Sequence, residues 1–202
     1  MFEIIKKIVQ KIKKIVFVKK FYHSIYCYIF MKDVARIHTH LTMEEKFFLY
    51  KKIPEKALCV EIGSYLGASS LCIASSSNCQ KIFCVDTWHN EGMAEGQKDT
   101  YQDFLYNTRS FAHKIFPLRG KSAEIGNSFH EKIDFLFIDG DHSYDGVKQD
   151  IKIWLPKLRS RGVIIMHDCG WAEGVQRVIE QDVKSKCSSF RFLPNMFIGE
   201  KR

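Results

Sequence analysis

Four short stretches of this 202-residue chain carry side chains able to move protons, hold a cation or grip a ribose. They are Glu61-Ile62-Gly63, Asp86, Asp139-Gly140-Asp141-His142 and His167-Asp168. Histidine beside aspartate suits acid–base work, because an imidazole titrates near neutrality and accepts a proton without special tuning. The same atoms form an oxygen and nitrogen donor set of the kind that suits magnesium or manganese. A calcium loop starting at Asp139 is excluded: Asp150 fits its twelfth place, but the sixth, which must be glycine, is Tyr144. A phosphate loop ending in "RGKS" (119–122) fails too, because its first glycine would fall at Ile115.

Each of these clusters follows an apolar run. Runs at 57–62, 81–86, 114–118, 133–138 and 162–166 predict strands, with helices near 66–76, 98–112, 122–131, 143–155 and 172–185 between them. Strands so uniformly apolar, alternating with helices, predict an α/β fold: a mostly parallel sheet with helices on both faces. Thr42 followed by Glu45 makes a capping box that opens the helix "MEEKFFLYKKI", which stops near Pro54. The helix over 143–155 turns Tyr144, Val147, Ile151, Trp154 and Leu155 to one face, leaving Asp145 and Asp150 for solvent. The tail "SFRFLPNMFIGEKR" predicts a closing hairpin around Pro194-Asn195, and 88–97 reads as a loop. Ligands of such sheets sit at the carboxyl ends of strands where the strand order reverses, which is where all four clusters fall.

The net charge of +8 is concentrated in one place. Residues 1–20 hold seven lysines against one acid, and the rest of the chain is close to balanced. That distribution is not a nucleic-acid footprint spread over a fold. Seven cysteines without a C-x-x-C pair support neither a zinc site nor a disulfide framework, and Cys59 and Cys84 sit in apolar runs as small hydrophobes do. A reduced, cytoplasmic protein is expected.

Residues 1–39 read as a separate helical extension ahead of a domain over 40–202. In "MFEIIKKIVQKIKKIVFV" the apolar residues recur at three- and four-residue steps with lysines between them, a basic amphipathic helix. The lysine pairs interrupt any signal-peptide core, and no apolar run approaches the ~20 residues a membrane span needs. Two readings follow for residues 1–30: a helix lying on the anionic inner face of a membrane, or one packed on the domain or on a second subunit in a homodimer.

The first strand-to-helix turn, "VEIGSYLGASS", spaces Gly63 and Gly67 four apart, unlike the G-x-G-x-x-G of nicotinamide enzymes. Glu61 beside it suits an amine-bearing ligand better than a diphosphate, and Asp86 lies at the range of an acid that bonds ribose hydroxyls. A ribose-bearing cationic cofactor without a diphosphate is S-adenosylmethionine. With "EIGSYLGAS" and "FIDGDHSYDGVKQDIKIWLPKL…GVIIMHD" in order, residues 40–185 resemble the class I S-adenosylmethionine-dependent methyltransferases with a Rossmann-like sheet. They are most similar to the catechol O-methyltransferase-like branch and the small bacterial sugar- and antibiotic-tailoring enzymes. Arg161-Gly162 departs from the paired glycines common before the fifth strand, and the chain after 185 is short for the family.

The resemblance implies a set of roles. Glu61, Gly63, Ser64, Tyr65, Gly67 and Ser69 would surround the methionine part of the cofactor. Asp86 would hold the ribose with Trp88 nearby, Ser122 would meet the adenine edge, and Asp139 would border the cofactor. Asp139, His167 and Asp168 correspond to a divalent-metal set, and His142 to the base that deprotonates the acceptor hydroxyl. The implied acceptor is a small hydroxylated molecule, such as a sugar or glycan-biosynthesis intermediate. A hydroxylase-like metalloenzyme on the same scaffold, or a non-catalytic cofactor-binding module at a membrane, would keep parts of the same pattern.

Overall fold

The computed structural model describes residues 34–89 and 98–202, so nearly all of the 1–39 extension and most of the 88–97 loop lie outside the described residues. His38–Arg202 forms one compact unit. Its first helix, α1 (Met43–Lys51), opens on the expected capping box. The Thr42 N–H donates to Glu45 Oε2 at 2.8 Å and the Glu45 N–H to Thr42 Oγ1 at 3.3 Å, satisfying two of the donors a helix start leaves open.

Seven strands follow: β1 (Ala57–Ile62), β2 (Cys79–Asp86), β3 (Ile115–Arg119), β4 (Ile133–Ile138), β5 (Leu158–His167), β6 (Cys187–Leu193) and β7 (Met196–Lys201). They form one sheet in the order β3-β2-β1-β4-β5-β7-β6, with β7 antiparallel to both β5 and β6 and the other pairs parallel. Between the strands lie α2 (Ala68–Ser75), α3 (Tyr101–Thr108), α4 (Ser122–Ser128), α5 (Tyr144–Trp154) and α6 (Glu173–Val178). The chain winds outward from β1 to β3 and then returns to start β4 on the other side of β1. The carboxyl ends of β1 and β4 therefore flank the point where strand order reverses. There the Asp139 N–H donates to the Ile62 carbonyl at 2.8 Å, tying the two strand ends together.

Strand pleating divides the core. Val60, Ile62, Leu136 and Ile138 face a cluster with Val147, Ile151 and Trp154 of α5 and Val175 and Val178 of α6. Cys59, Glu61, Phe135 and Phe137 alternate to the other face and are equally buried. Six cysteines among the described residues are free and buried. No helix among the described residues is long and apolar enough to cross a membrane.

Two elements and one residue differ most from their sequence reading. β5 begins at Leu158 rather than 162, because exposed Arg159–Arg161 extend the strand before Arg161 turns left-handed (φ +63°). The helix expected over 172–185 is α6 followed by a π turn (Ile179–Val183) and a 3-10 turn (Lys184–Lys186). Asp150, expected in solvent, is 5% exposed, because α4 packs on its side of α5 and brings up Ser122.

Candidate active site

The β1–α2 turn is built around backbone that only some residues tolerate. Gly63 (φ +85°) and Gly67 (φ +89°) are left-handed, and a Cβ on Gly63 would overlap the Asp139 carbonyl oxygen. Only glycine lets the β1 and β4 ends approach this closely. Three non-glycine residues after strand ends also sit left-handed: Tyr65 (φ +44°), Trp88 (φ +55°) and Asp168 (φ +59°). Each costs about 1–3 kcal/mol and persists only where its surroundings hold it.

Asp86 holds the first two. Its Oδ2 accepts the Ser64 N–H at 2.9 Å and the Tyr65 N–H at 2.8 Å, and its Oδ1 the Trp88 N–H at 2.7 Å. Trp88 is fully buried against Tyr101 and Phe104 and donates its indole N–H to the Tyr65 carbonyl at 2.9 Å. Glu61 is fully buried behind the turn. Its Oε2 accepts from the Ser64 hydroxyl at 2.7 Å and from the Ser70 hydroxyl, while Oε1 has no partner. Burial raises its pKa, against the serine hydroxyls that lower it. Ser122 is apart from this group, its oxygen accepting the Trp154 indole N–H at 2.8 Å where α4 meets α5.

The second cluster spans β4 and β5. Asp168 Oδ2 lies 2.8 Å from His142 Nε2. Its Oδ1 accepts the Trp171 indole N–H at 2.7 Å and the Asn195 amide N–H at 3.0 Å, and lies 3.2 Å from His167 Nδ1. His167 Nδ1 is also 3.1 Å from Asp139 Oδ1, and its Nε2 is 3.4 Å from Glu45 Oε1 of the capping box. Burial alone would lower the His167 pKa, but Asp139 and Asp168 raise it to about 10. Asp168 is pulled well below the carboxylate range by hydrogen bonds from His142 and His167, which outweigh its burial. Asp139 goes the other way, raised by burial although His167 counters it. The Asp168 hydrogen bond raises His142 above its ordinary value.

His167 is held between carboxylates, its side chain only 1% exposed and its pKa raised by Asp139 and Asp168. The expected ligand set of Asp139, His167 and Asp168 comes together here, His167 Nδ1 lying 3.1 Å from Asp139 Oδ1 and 3.2 Å from Asp168 Oδ1. Among the described residues, Asp139, His142 and Asp168 also bring donor atoms within 4.8 Å of one another. His167 positions the two acids from beneath. Asp141 is a local turn residue, its Oδ1 accepting the Ser143 N–H at 2.7 Å.

Both clusters open on one cavity of about 540 Å³, within the range of small-molecule sites. Gly63, Ser64, Tyr65 and Ser69 line one part, and Asp139, His142 and Asp168 another. Glu61, Asp86 and Trp88 support the wall from behind, and neither they nor Ser122 and His167 line it. His38, His40, Trp171 and Asn195 also line it, four residues that sequence reasoning did not place there. Only Trp171, three residues beyond Asp168, carried a local hint.

The sequence profile of a family described as "Methyltransferase domain" matches residues 60–169, from β1 to the turn after β5. The chain belongs to this methyltransferase family. Its sheet is the Rossmann-like sheet of the class I S-adenosylmethionine-dependent enzymes. Two curated relatives match part of the chain. The uncharacterized protein y4gI of Sinorhizobium fredii is 30% identical over 115 residues, 54% of this chain and 13% of that protein. The uncharacterized protein R132 of Acanthamoeba polyphaga mimivirus is 24% identical over 141 residues, 66% of this chain and 64% of that protein. The chain therefore spans less than two thirds of either relative.

Among solved structures, the O-methyltransferase NovP superposes with a TM-score of 0.67 at 13% identity, over 81% of this chain and 82% of its own. A Bacillus cereus O-methyltransferase in complex with S-adenosylhomocysteine gives 0.61 at 16% identity, over 86% and 88%. The MycE methyltransferase of mycinamycin biosynthesis, in complex with Mg, S-adenosylhomocysteine and mycinamycin VI, gives 0.50 at 15% identity, over 78% and 47%. At these identities the likeness establishes the methyltransferase fold.

Proposed function

We propose that this chain is an S-adenosylmethionine-dependent O-methyltransferase acting on a small hydroxylated acceptor such as a sugar or glycan-biosynthesis intermediate. The observation that carries the reading is the His142–Asp168 pair, 2.8 Å apart, in the cavity that the β1–α2 turn also lines. The residues fit the cofactor: Glu61 Oε1 is buried without a partner beside that turn, and a carboxylate there suits the cofactor's amine. Glu61, Ser64, Tyr65 and Ser69 would hold its methionine end and Asp86 its ribose. The bound cofactor supplies an electrophilic sulfonium methyl.

The remaining work falls to this chain's own side chains. His142 turns Nε2 to Asp168, so the neutral ring carries its proton there and keeps the Nδ1 lone pair to take the acceptor's proton. Asp168 stabilises the imidazolium that forms, and the His142 side chain, 41% exposed, can pass the proton to water. Asn195 and Trp171 hold Asp168 by its other oxygen, which keeps Oδ2 directed at the histidine.

A second reading is favoured by the spacing of Asp139, His142 and Asp168, a hard donor set that fits magnesium or manganese. MycE, crystallised with Mg, lends it support. In this reading Asp139, His142 and Asp168 would hold the cation, which would supply Lewis acidity to lower the hydroxyl pKa. Calorimetric titration with S-adenosylmethionine and S-adenosylhomocysteine, repeated with manganese and with a chelator, tests both. Failure to bind either nucleoside overturns the methyltransferase reading. Turnover that ignores the chelator, with no manganese bound, removes the metal.

A further inference from the structure

We infer that Trp171 is the acceptor platform, and that the acceptor is a neutral pyranose ring stacked on its indole with the reacting hydroxyl towards His142. This rests on the methyltransferase reading above. The chain has three tryptophans. Trp88 and Trp154 are fully buried, whereas Trp171, on the cavity wall, is 63% exposed. Exposing so large an apolar surface has no folding benefit. Nor is the ring free to fold away: its N–H is bonded to Asp168 Oδ1 at 2.7 Å, and it stands edge-on to His142, with centroids 5.0 Å apart at 70°. A rigid indole beside the proposed base is a surface on which a ring carrying the hydroxyl to be deprotonated can stack.

The rest of the wall selects which ring. His38, His40, Asn195 and Asp139 line the same cavity as Trp171 and bring polar groups to it. A pyranose presents C–H bonds to the indole and hydroxyls to these groups. An arene would take water from them and return no hydrogen bonds, which is unfavourable. Charge narrows the class further. Among the described residues no lysine or arginine lines the cavity, and Asp139 and Asp168 do, so with respect to these residues a phosphate or carboxylate on the ring would meet carboxylates with no lysine or arginine to offset them.

The exposure pattern also supplies the test, because Trp171 is the tryptophan that a soluble quencher can reach. The full chain is saturated with S-adenosylhomocysteine. Acrylamide quenching is then followed while methyl α-D-glucopyranoside, methyl α-D-mannopyranoside, methyl α-L-rhamnopyranoside, catechol, glucose 6-phosphate and sorbitol are titrated in turn. The expected result is protection by at least one methyl pyranoside, lowering the quenching constant about twofold, with none from the sugar phosphate or sorbitol. Saturation-transfer NMR then shows Trp171→Leu weakening that pyranoside about tenfold or more and Trp171→Phe, which keeps a ring, weakening it less. Both variants should bind S-adenosylhomocysteine within about twofold of the parent, which shows that they fold. Protection by catechol alone, by no pyranoside, or equal pyranoside binding by Trp171→Leu overturns the inference. Loss of S-adenosylhomocysteine binding by the parent chain would instead overturn the methyltransferase reading beneath it.

Discussion

The two halves of the sheet use the same residue type in opposite ways. At the ends of β1 and β2, Glu61 and Asp86 point into the fold. They accept hydrogen bonds from the Ser64 and Ser70 hydroxyls and from three backbone N–H groups, so their charge shapes a turn. At the ends of β4 and β5, Asp139 and Asp168 meet histidines and face the cavity. A carboxylate bonded to serine hydroxyls or backbone N–H groups shapes the β1–α2 turn, and one paired with a titratable ring lines the cavity. Position at a strand end does not distinguish them. The partner does.

Replacing Asp168 by asparagine should break the catalytic half with the largest effect. Turnover should fall by about 10²–10⁴-fold with S-adenosylhomocysteine affinity little changed. The pH–rate profile gives the sign. His142 must be neutral to act as a base, and Asp168 raises its pKa, so activity climbs only as pH passes above the ordinary imidazole value. In the variant that rising limb should move to lower pH. A profile that keeps its position would show that His142 is not the base.

Asp86→Ala should break the scaffold half. Three N–H groups lose their acceptor, so thermal stability should fall by about 2–4 kcal/mol, and S-adenosylhomocysteine affinity should fall with it. Loss of turnover at unchanged stability and affinity would place Asp86 with the other pair.

Asp150→Asn sharpens the contrast from outside both halves. Burial raises the Asp150 pKa to about 6 against an ordinary 3.8, with the Ser122 hydrogen bond only partly countering it. A raised carboxyl contributes stability that is present in full below the unfolded pKa and lost as pH rises through the folded one. The unfavourable charge is therefore complete above about pH 6. The amide should gain about 1–3 kcal/mol at pH 7 and flatten the stability curve between about pH 4 and 6, read by denaturant melts. The smallest effect on the domain is expected from deleting residues 1–30: S-adenosylhomocysteine affinity stays, and if the segment lies on a membrane, liposome binding is lost. Retained liposome binding would end the membrane reading.

Much of the sheet was legible because its strands are apolar throughout. β1 and β4 match their sequence reading residue for residue, and the hairpin turns at Pro194-Asn195 as the tail composition implies. The Thr42–Glu45 capping box was legible because both partners lie within one turn. Asp150 was misjudged because helical periodicity reports one packed face, while α4 covers a second. Asn195 and His38 went unread as site residues because they come from far along the chain. Asn195 reaches Asp168 only because β7 pairs antiparallel with β5, setting Met196 opposite His167.

The sequence by itself determined the order and type of the elements and the edge at which the polar residues collect, since these follow from local periodicity and turn chemistry. Tertiary structure alone decided which acids bond to the β1–α2 turn and which line the cavity, and that His167 is buried between carboxylates while His142 opens to the cavity. Charge state and hydrogen-bond partner depend on burial and on neighbours brought from distant parts of the chain, and spacing along it carries neither.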